Sequence, residues 1–260
     1  MSTTFNLSKD SLKEHAQAQM RRHLQMPNWT QRQKLALAAR ILFDGGHQGS
    51  GLAGQITARG ERPGTFYTQQ LGLGLDEIST DNLLLINDDI EVLEGNGMPN
   101  PANRFHIHIY RVRPDVNCIA HTHSPYASAL SMIGTPLIPA QMDTTVLYDD
   151  CAFLEKWPGV PVGNEEGEII AEALGSKRAV LLAHHGQLVA CKSIEEACTI
   201  SLTFEYAARL QLLASSAGKI QELPDDLGRE AHEWLLTDTR VNATFHYYAR
   251  RTLQNHTDFL

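Results

Sequence analysis

Cysteine is scarce in this chain: Cys118, Cys151, Cys191 and Cys198 are the only four, and no two stand in C-x-x-C spacing. Most lie in apolar contexts that suit buried thiols, so a disulfide-stapled framework is excluded and a reducing, cytoplasmic setting is expected. Basic charge is also short. Against 30 acidic residues stand 22 Lys and Arg, a formal charge of −8, and without a basic run the field repels polyanions and excludes nucleic acid and anionic membranes as partners. No apolar run approaches the roughly 18 residues of a membrane span, and residues 1–14 lack the apolar core of a signal peptide. The glycines Gly49, Gly51 and Gly54 are not followed by Lys-Ser/Thr and open no helix after a strand, so they read as a turn at a cleft rim rather than a nucleotide loop. Internal repeats, low-complexity segments and linkers are absent too.

What remains is the material of one α/β domain, with 42% hydrophobic residues over 260 positions. Residues 1–29 read as a loosely held arm. Thr30 can cap a helix whose Leu35, Leu37, Ala38, Ile41 and Leu42 repeat at helical spacing until Gly45-Gly46 stops it. The glycine-rich stretch 47–59 leads into a hairpin, and residues 65–67 and 82–86 are further strands, so the sheet starts antiparallel. Phe105, Ile109 and Val112 predict a helix with Pro101 in its first turn. Residues 116–121, 179–183 and 187–191 read as strands, Ser124-Pro125 opens a helix through Met132, and Asn164 caps one that ends at Gly175. Ser193-Ile194-Glu195-Glu196 has the pattern of a capping box for a helix reaching about residue 214. Residues 218–260, with Trp234, Phe245, Tyr247 and Tyr248, form a helical tail that packs on this subunit or a neighbour.

Four of twelve histidines fall in two tight groups, His121-Thr122-His123 and His184-His185-Gly186, each at the end of an apolar strand-like run. On an extended strand His121 and His123 share a face, so both can grip one ion. Paired imidazoles repel when protonated and need partners when buried, and a shared cation answers both demands. His184 and His185 are adjacent and point to opposite faces; the glycine after His185 favours it as the third ligand, with periodicity alone leaving the two near even. His106 and His108 sit on a helix, where residues two apart do not face each other. His15, His23, His232 and His256 stand alone and read as ordinary surface or core histidines. Glu165 and Glu166 suit a helix's first turn, and Tyr148, Asp149 and Asp150 a solvated turn.

In order along the chain, Arg104-Phe105-His106, Tyr110, Arg113-Pro114-Asp115, His121-x-His123 and Leu182-x-His184-His185-Gly186 resemble the class II aldolase/adducin family. Gly51-Leu52-Ala53-Gly54-Gln55-Ile56-Thr57 and Leu71-Gly72-Leu73-Gly74-Leu75-Asp76-Glu77-Ile78 are similar to its adducin-like branch, and the likeness spans about residues 30–215. The resemblance implies a three-layer α/β/α fold with a central, mostly antiparallel sheet, in a homotetramer with active sites at subunit interfaces. It also implies a divalent ion, zinc first, with iron, manganese or cobalt as alternatives, held by His121, His123 and His185. The ion polarises a carbonyl and stabilises an enediolate as a carbon–carbon bond breaks.

Two departures from the family shape the functional expectation. Where sugar-phosphate aldolases carry a catalytic carboxylate, this chain has Ala102, so His106 or Asp143 is expected to take the acid/base role. Where they cradle phosphate, it has Gln55, Leu71, Gly72, Asn100 and Pro101, with no hydroxyl or cation among them. Gln55, Gly72, Asn100, Asn103 and Tyr110 are therefore expected to bind an unphosphorylated oxo- or hydroxy-acid, or a related carbonyl compound, in a cytoplasmic lyase. Two alternatives are a non-catalytic adducin-like interaction module, for which the loss at Ala102 argues, and a non-haem iron oxidative decarboxylase.

Overall fold

The computed structural model describes residues 4–25 and 27–260. Eight strands form one sheet: β1 (Gln55–Arg59), β2 (Thr65–Thr68), β3 (Leu84–Asn87), β4 (Val92–Glu94), β5 (Cys118–Thr122), β6 (Cys151–Leu154), β7 (Ala179–Leu182) and β8 (Gly186–Cys191). Their spatial order is β4-β3-β2-β1-β5-β8-β7-β6, and every adjacent pair is antiparallel except β6–β7. Among the described residues eight α-helices accompany it: α1 (Lys9–His23), α2 (Gln31–Asp44), α3 (Asn103–Val112), α4 (Pro125–Ser131), α5 (Asn164–Leu174), α6 (Ile194–Ala217), α7 (Asp225–Leu235) and α8 (Asp238–Asn255).

Strand alternation divides the apolar residues between two cores. Phe66, Ile119, Val180 and Leu188 face Phe105 and Ile109 of α3 and Ile170 and Leu174 of α5. Ile56, Ala120, Leu181 and Val189 face the other way, against Leu37 and Ile41 of α2, Phe204 of α6 and Phe245 of α8. The result is the α/β/α sandwich expected from sequence. No helix among the described residues is long and apolar enough to cross a membrane.

Several local expectations need correction. Most of the supposed arm is α1, capped by Ser8 and joined through Lys9 and Lys13 to Glu230 of α7. It buries no residue, so it carries no apolar stripe to read, and cap and ion pairs hold it instead. Residues 1–3 and Met26 of that arm lie outside the described residues. Helix α3 starts at Asn103, two positions after Pro101. The N-cap of α5 is Gly163; the Asn164 side chain is instead engaged by His108 Nε2, 3.1 Å away across the α3–α5 contact. Ser193 does cap α6, accepting from the Glu196 N–H at 3.1 Å, but Glu196 reaches back to the Lys192 N–H rather than closing the box on Ser193.

One contact links the second helical layer to the region after β5. Glu205 of α6 is buried, and its two carboxylate oxygens accept from the N–H groups of Tyr126 and Ala127 at 2.9 and 2.8 Å, capping α4 from outside. A carboxylate at a helix N-terminus satisfies orphan donors and complements the dipole. Glu205→Ala leaves the buried N–H of Ala127 unpaired and that of Tyr126 without its acceptor, and is expected to lower the unfolding free energy by about 2 kcal/mol in denaturant titrations. Glu205→Gln, which keeps one acceptor, should lose clearly less.

Candidate metal centre

Three histidines meet at one end of the sheet. His121, the fourth residue of β5, lies on the α3 face, and its Nδ1 donates to the Gln187 carbonyl of β8 at 2.9 Å. That bond fixes the tautomer and leaves Nε2 as a lone pair. His123 follows just beyond the strand end, and its Nε2 lies 2.9 Å from that of His121. His185 enters from the β7–β8 turn, its ring centre 4.6 Å from each of the others. One ligand atom of each residue lies within 4.8 Å of the rest. His121 is buried, whereas His123 and His185 are partly exposed, so the cluster opens to solvent on one side.

Backbone crowding explains why small residues surround it. Gly49 and Gly54 have φ of +58° and +97°, and added Cβ atoms would stand 2.6 Å from the His123 carbonyl oxygen and 2.8 Å from that of His121. The glycine loop is therefore pressed along the histidine-bearing segment. Gly186 works by the same close approach, since a Cβ there would come within 2.5 Å of the Thr122 carbonyl. The sharp departure expected at Gly186 occurs instead at His184, with φ of +57°. The His184 N–H donates to the Ser131 carbonyl at 3.0 Å and its side chain is exposed, while His185 turns inward.

Burial lowers the basicity of every ring in the cluster. For His121 it is the chief cause of a pKa held well below the usual histidine range, followed by His185, His123 and His106. His185 is pushed down to about 4 by burial and by His123, and burial also lowers His123. No carboxylate is among these influences. Three neutral imidazoles sharing one opening can hold a divalent metal ion.

Between β1 and α3, buried polar side chains border His121. Gln55 is its direct cross-strand neighbour, and the Phe105 ring stands edge-on to it at 5.2 Å. His106 Nδ1 lies 2.8 Å from Thr57 Oγ1, which is 2.9 Å from the Tyr110 hydroxyl, and Asn103 Nδ2 donates to Thr68 Oγ1 at 3.1 Å. Tyr110 also stacks on Phe66 and donates to the Thr57 carbonyl. Asn100 uses Oδ1 to accept from the Ala102 N–H at 2.9 Å, and Gly72 sits exposed in a turn at φ of +100°. The structure thus brings Gln55 and His106 beside His121, while Asn103 and Tyr110 are tied further along the same face to Thr68 and Thr57, with Asn100 at the start of α3. It does not gather Asp143, an exposed residue that accepts from Gln141 Nε2 at 3.2 Å. Asp143 lines a separate cleft with Val146, Thr203, Val241 and Tyr248, and none of the three histidines borders that cleft.

The model of the class II aldolase and adducin N-terminal domain matches residues 33–212. The chain belongs to the class II aldolase and adducin family. Among its relatives, it is 30% identical to the decarboxylase NovR of Streptomyces niveus over 75% of this chain and 73% of that one. It is 29% identical to the 5-deoxy-D-ribulose 1-phosphate aldolase of Bacillus thuringiensis over 74% of this chain and 88% of that one. Its fold overlays the L-fuculose 1-phosphate aldolase of Glaciozyma antarctica with a TM-score of 0.79 at 26% identity, covering 89% and 95% of the two chains. Aldolase names among these relatives support an enzyme, and the family context fits dependence on a divalent metal at the histidine cluster.

One residue of this class II aldolase relative escaped sequence reasoning. His47, in the loop after α2, is buried with Nδ1 2.9 Å from Thr122 Oγ1 and 3.0 Å from Gln187 Nε2. It backs the histidine-bearing strand, yet it sits in no periodic pattern that could have marked it. Burial pushes His47 and His106 each down to about 3. An unfolded histidine titrates near 6.5, so between those values the unfolded chain binds a proton that the folded one refuses, and stability falls as pH falls. For metal-free protein, denaturant titrations should show a loss of about 2 kcal/mol per buried histidine between pH 7 and pH 5. His47→Gln should remove its own share of that slope.

Proposed function

We propose that this protein is a divalent-metal-dependent lyase of the aldolase type that cleaves or forms a carbon–carbon bond in a small unphosphorylated oxo- or hydroxy-carbonyl compound. The observation that carries this reading is the half-open cluster of His121, His123 and His185, all neutral, with the Nε2 lone pair of His121 set by its bond to Gln187. This donor set fits zinc, with three protein nitrogens and room for substrate. The ion supplies Lewis-acid stabilisation of the negative charge that develops on a carbonyl oxygen as the adjacent bond breaks.

The chain's own groups shape the rest. Phosphate finds few donors here, because the first N–H groups of α3 are already committed: those of Asn103, Arg104 and Phe105 donate to the carbonyls of Asn100, Pro101 and Ala102 at 2.9, 3.1 and 3.3 Å. Arg59, at the other end of β1, is spent on the carbonyls of Val116, Tyr110 and Arg113. Gln55, Asn103 and His106 supply neutral hydrogen-bonding groups instead. A pKa of about 3 makes His106 a poor proton carrier near neutral pH, so we assign it the role of hydrogen-bond acceptor and leave proton transfer to solvent water entering past His123 and His185. Exposed Met132 and Ile133, at 67% and 58%, follow the helix whose end holds His184; they support a homo-oligomer, taken as a tetramer, that covers this rim. The buried free thiols Cys118, Cys191 and Cys198 support a cytoplasmic site of action.

A second reading keeps the cluster and changes the ion. Similarity to relatives named as a decarboxylase and as an oxygenase favours oxidative decarboxylation, and neutral imidazoles also suit ferrous ion. Elemental analysis after anaerobic purification, followed by assays with each ion restored, separates the two. We expect one zinc per chain, loss of that zinc in His121→Ala with the melting temperature of the metal-free protein retained, and cleavage of at least one compound in a panel of hydroxy-carbonyl substrates. Full zinc occupancy with no cleavage across the panel would overturn the lyase reading, and iron-dependent oxygen consumption would establish the second.

A further inference from the structure

The cleft that holds Asp143 has a volume of about 370 Å³ and lies between α6, α8 and the short helical turn Met142–Leu147. One of its walls, α8, lies beyond residues 33–212, which carry the family likeness. Most of the lining is apolar, with Ile200 and Leu202 from α6, Leu235 and Leu236 from the α7–α8 junction, and Val241 from α8. Clefts of this size take small organic molecules when a few polar groups converge in an apolar lining.

The polar groups come from one helix face. Arg240, Thr244 and Tyr248 follow one another at four-residue spacing along α8 and all line the cleft. Arg240 is the single cation of the lining and is half-buried. Among the described residues its guanidinium enters no ion pair and no hydrogen bond, and it rests over the Trp234 ring, 5.7 Å from the ring centre. The carboxylates that could have claimed it are held elsewhere: Asp238, two residues back, pairs with Lys192 Nζ at 2.6 Å, and Asp143 accepts from Gln141 Nε2. On the α6 wall, Thr199 and Thr203 spend their hydroxyl protons on the carbonyls of Glu195 and Thr199 at 2.9 and 3.1 Å. The hydroxyls of Thr244 and Tyr248 have no such partner among the described residues, so they stand free beside the guanidinium.

An uncommitted guanidinium against an apolar wall offers a planar fork of N–H donors that matches a carboxylate. Phosphate matches less well, because a dianion meets one cation here and the Asp143 carboxylate on the same lining repels it. We propose that this cleft is a binding site for a small monocarboxylic acid with an apolar body, its carboxylate forked on Arg240 and flanked by the Thr244 and Tyr248 hydroxyls, its body against Ile200, Leu236 and Val241. The site is separate from the histidine cluster, none of whose members borders it, and stands whether or not that cluster serves a lyase.

Phenylacetate, phenethyl alcohol and inorganic phosphate serve as probes in calorimetric titrations of the full-length protein. The acid is expected to bind about tenfold more tightly than the alcohol of the same shape, the effect of one charge-assisted contact, and phosphate more weakly than the acid. Because a carboxylate can also reach a metal ion, the titration is repeated on His121→Ala, where the same affinity for the acid is expected. Arg240→Met keeps the stem and removes the charge, so it should erase the preference for the acid, and Arg240→Lys should restore part of it. Thr244 is exposed, so Thr244→Trp can fill the mouth of the cleft without disturbing the core and should block both organic probes. In wild-type protein labelled with 15N-arginine, the Arg240 Nε resonance should move as phenylacetate is added, a readout that needs no variant to fold. Equal binding of acid and alcohol, tightest binding of phosphate, loss of the acid in folded His121→Ala, an Arg240 resonance that stays in place, or no binding of any probe would each overturn the site.

Discussion

The bond from His121 Nδ1 to the Gln187 carbonyl is the constraint around which the site is built. It ties a side chain of one central strand to the backbone of the next, so the direction of the ring follows from the register of the sheet rather than from a loose rotamer. Register in turn is set by two cores, because slipping β5 by one residue would move Ile119 and His121 to the face now filled by Cys118 and Ala120. Placement of the first ligand is thus inherited from hydrophobic burial on both faces of the sheet. The other two ligands stand just past strand ends, where backbone is free to turn.

Behind this bond lies a buried polar layer. Gln187 contributes its carbonyl to His121 and its side chain to His47, Thr122 and Ser124. The network is only partly satisfied, since Gln187 Oε1 and His47 Nε2 have no partner, so it carries a cost as well as lending rigidity. It holds the segment 121–124 from the side opposite the metal-facing rings, much as outer ligands orient a coordinated imidazole in other metal sites. The glycine loop closes the third side by pressing backbone against backbone.

Much of this was legible in the chain itself. The strand period placed His121 and His123 together, and the ordered motifs from Arg104 to Gly186 named the family and its fold. Other features were hidden because their cause is tertiary. Helix α1 lacks an apolar stripe, Asn164 is diverted from capping by a histidine on another helix, and His47 gains its importance from strands that lie far along the sequence. Asp143 looked eligible as a carboxylate following the apolar stretch 137–140, yet it sits on a different cleft. Short-range chemistry predicts where an element begins, whereas long-range contact decides what its side chains are for.

His184 occupies a left-handed backbone conformation that glycine adopts freely and histidine adopts at some cost, of the order of 1 kcal/mol. A glycine in that place would relax the turn in the folded chain but enlarge the number of shapes open to the unfolded one. With a side chain there, fewer alternatives compete, and the next ring along reaches its neighbours already aimed. Rigidity at this corner therefore comes from a residue that touches none of the chemistry, by narrowing the choices of the one that does.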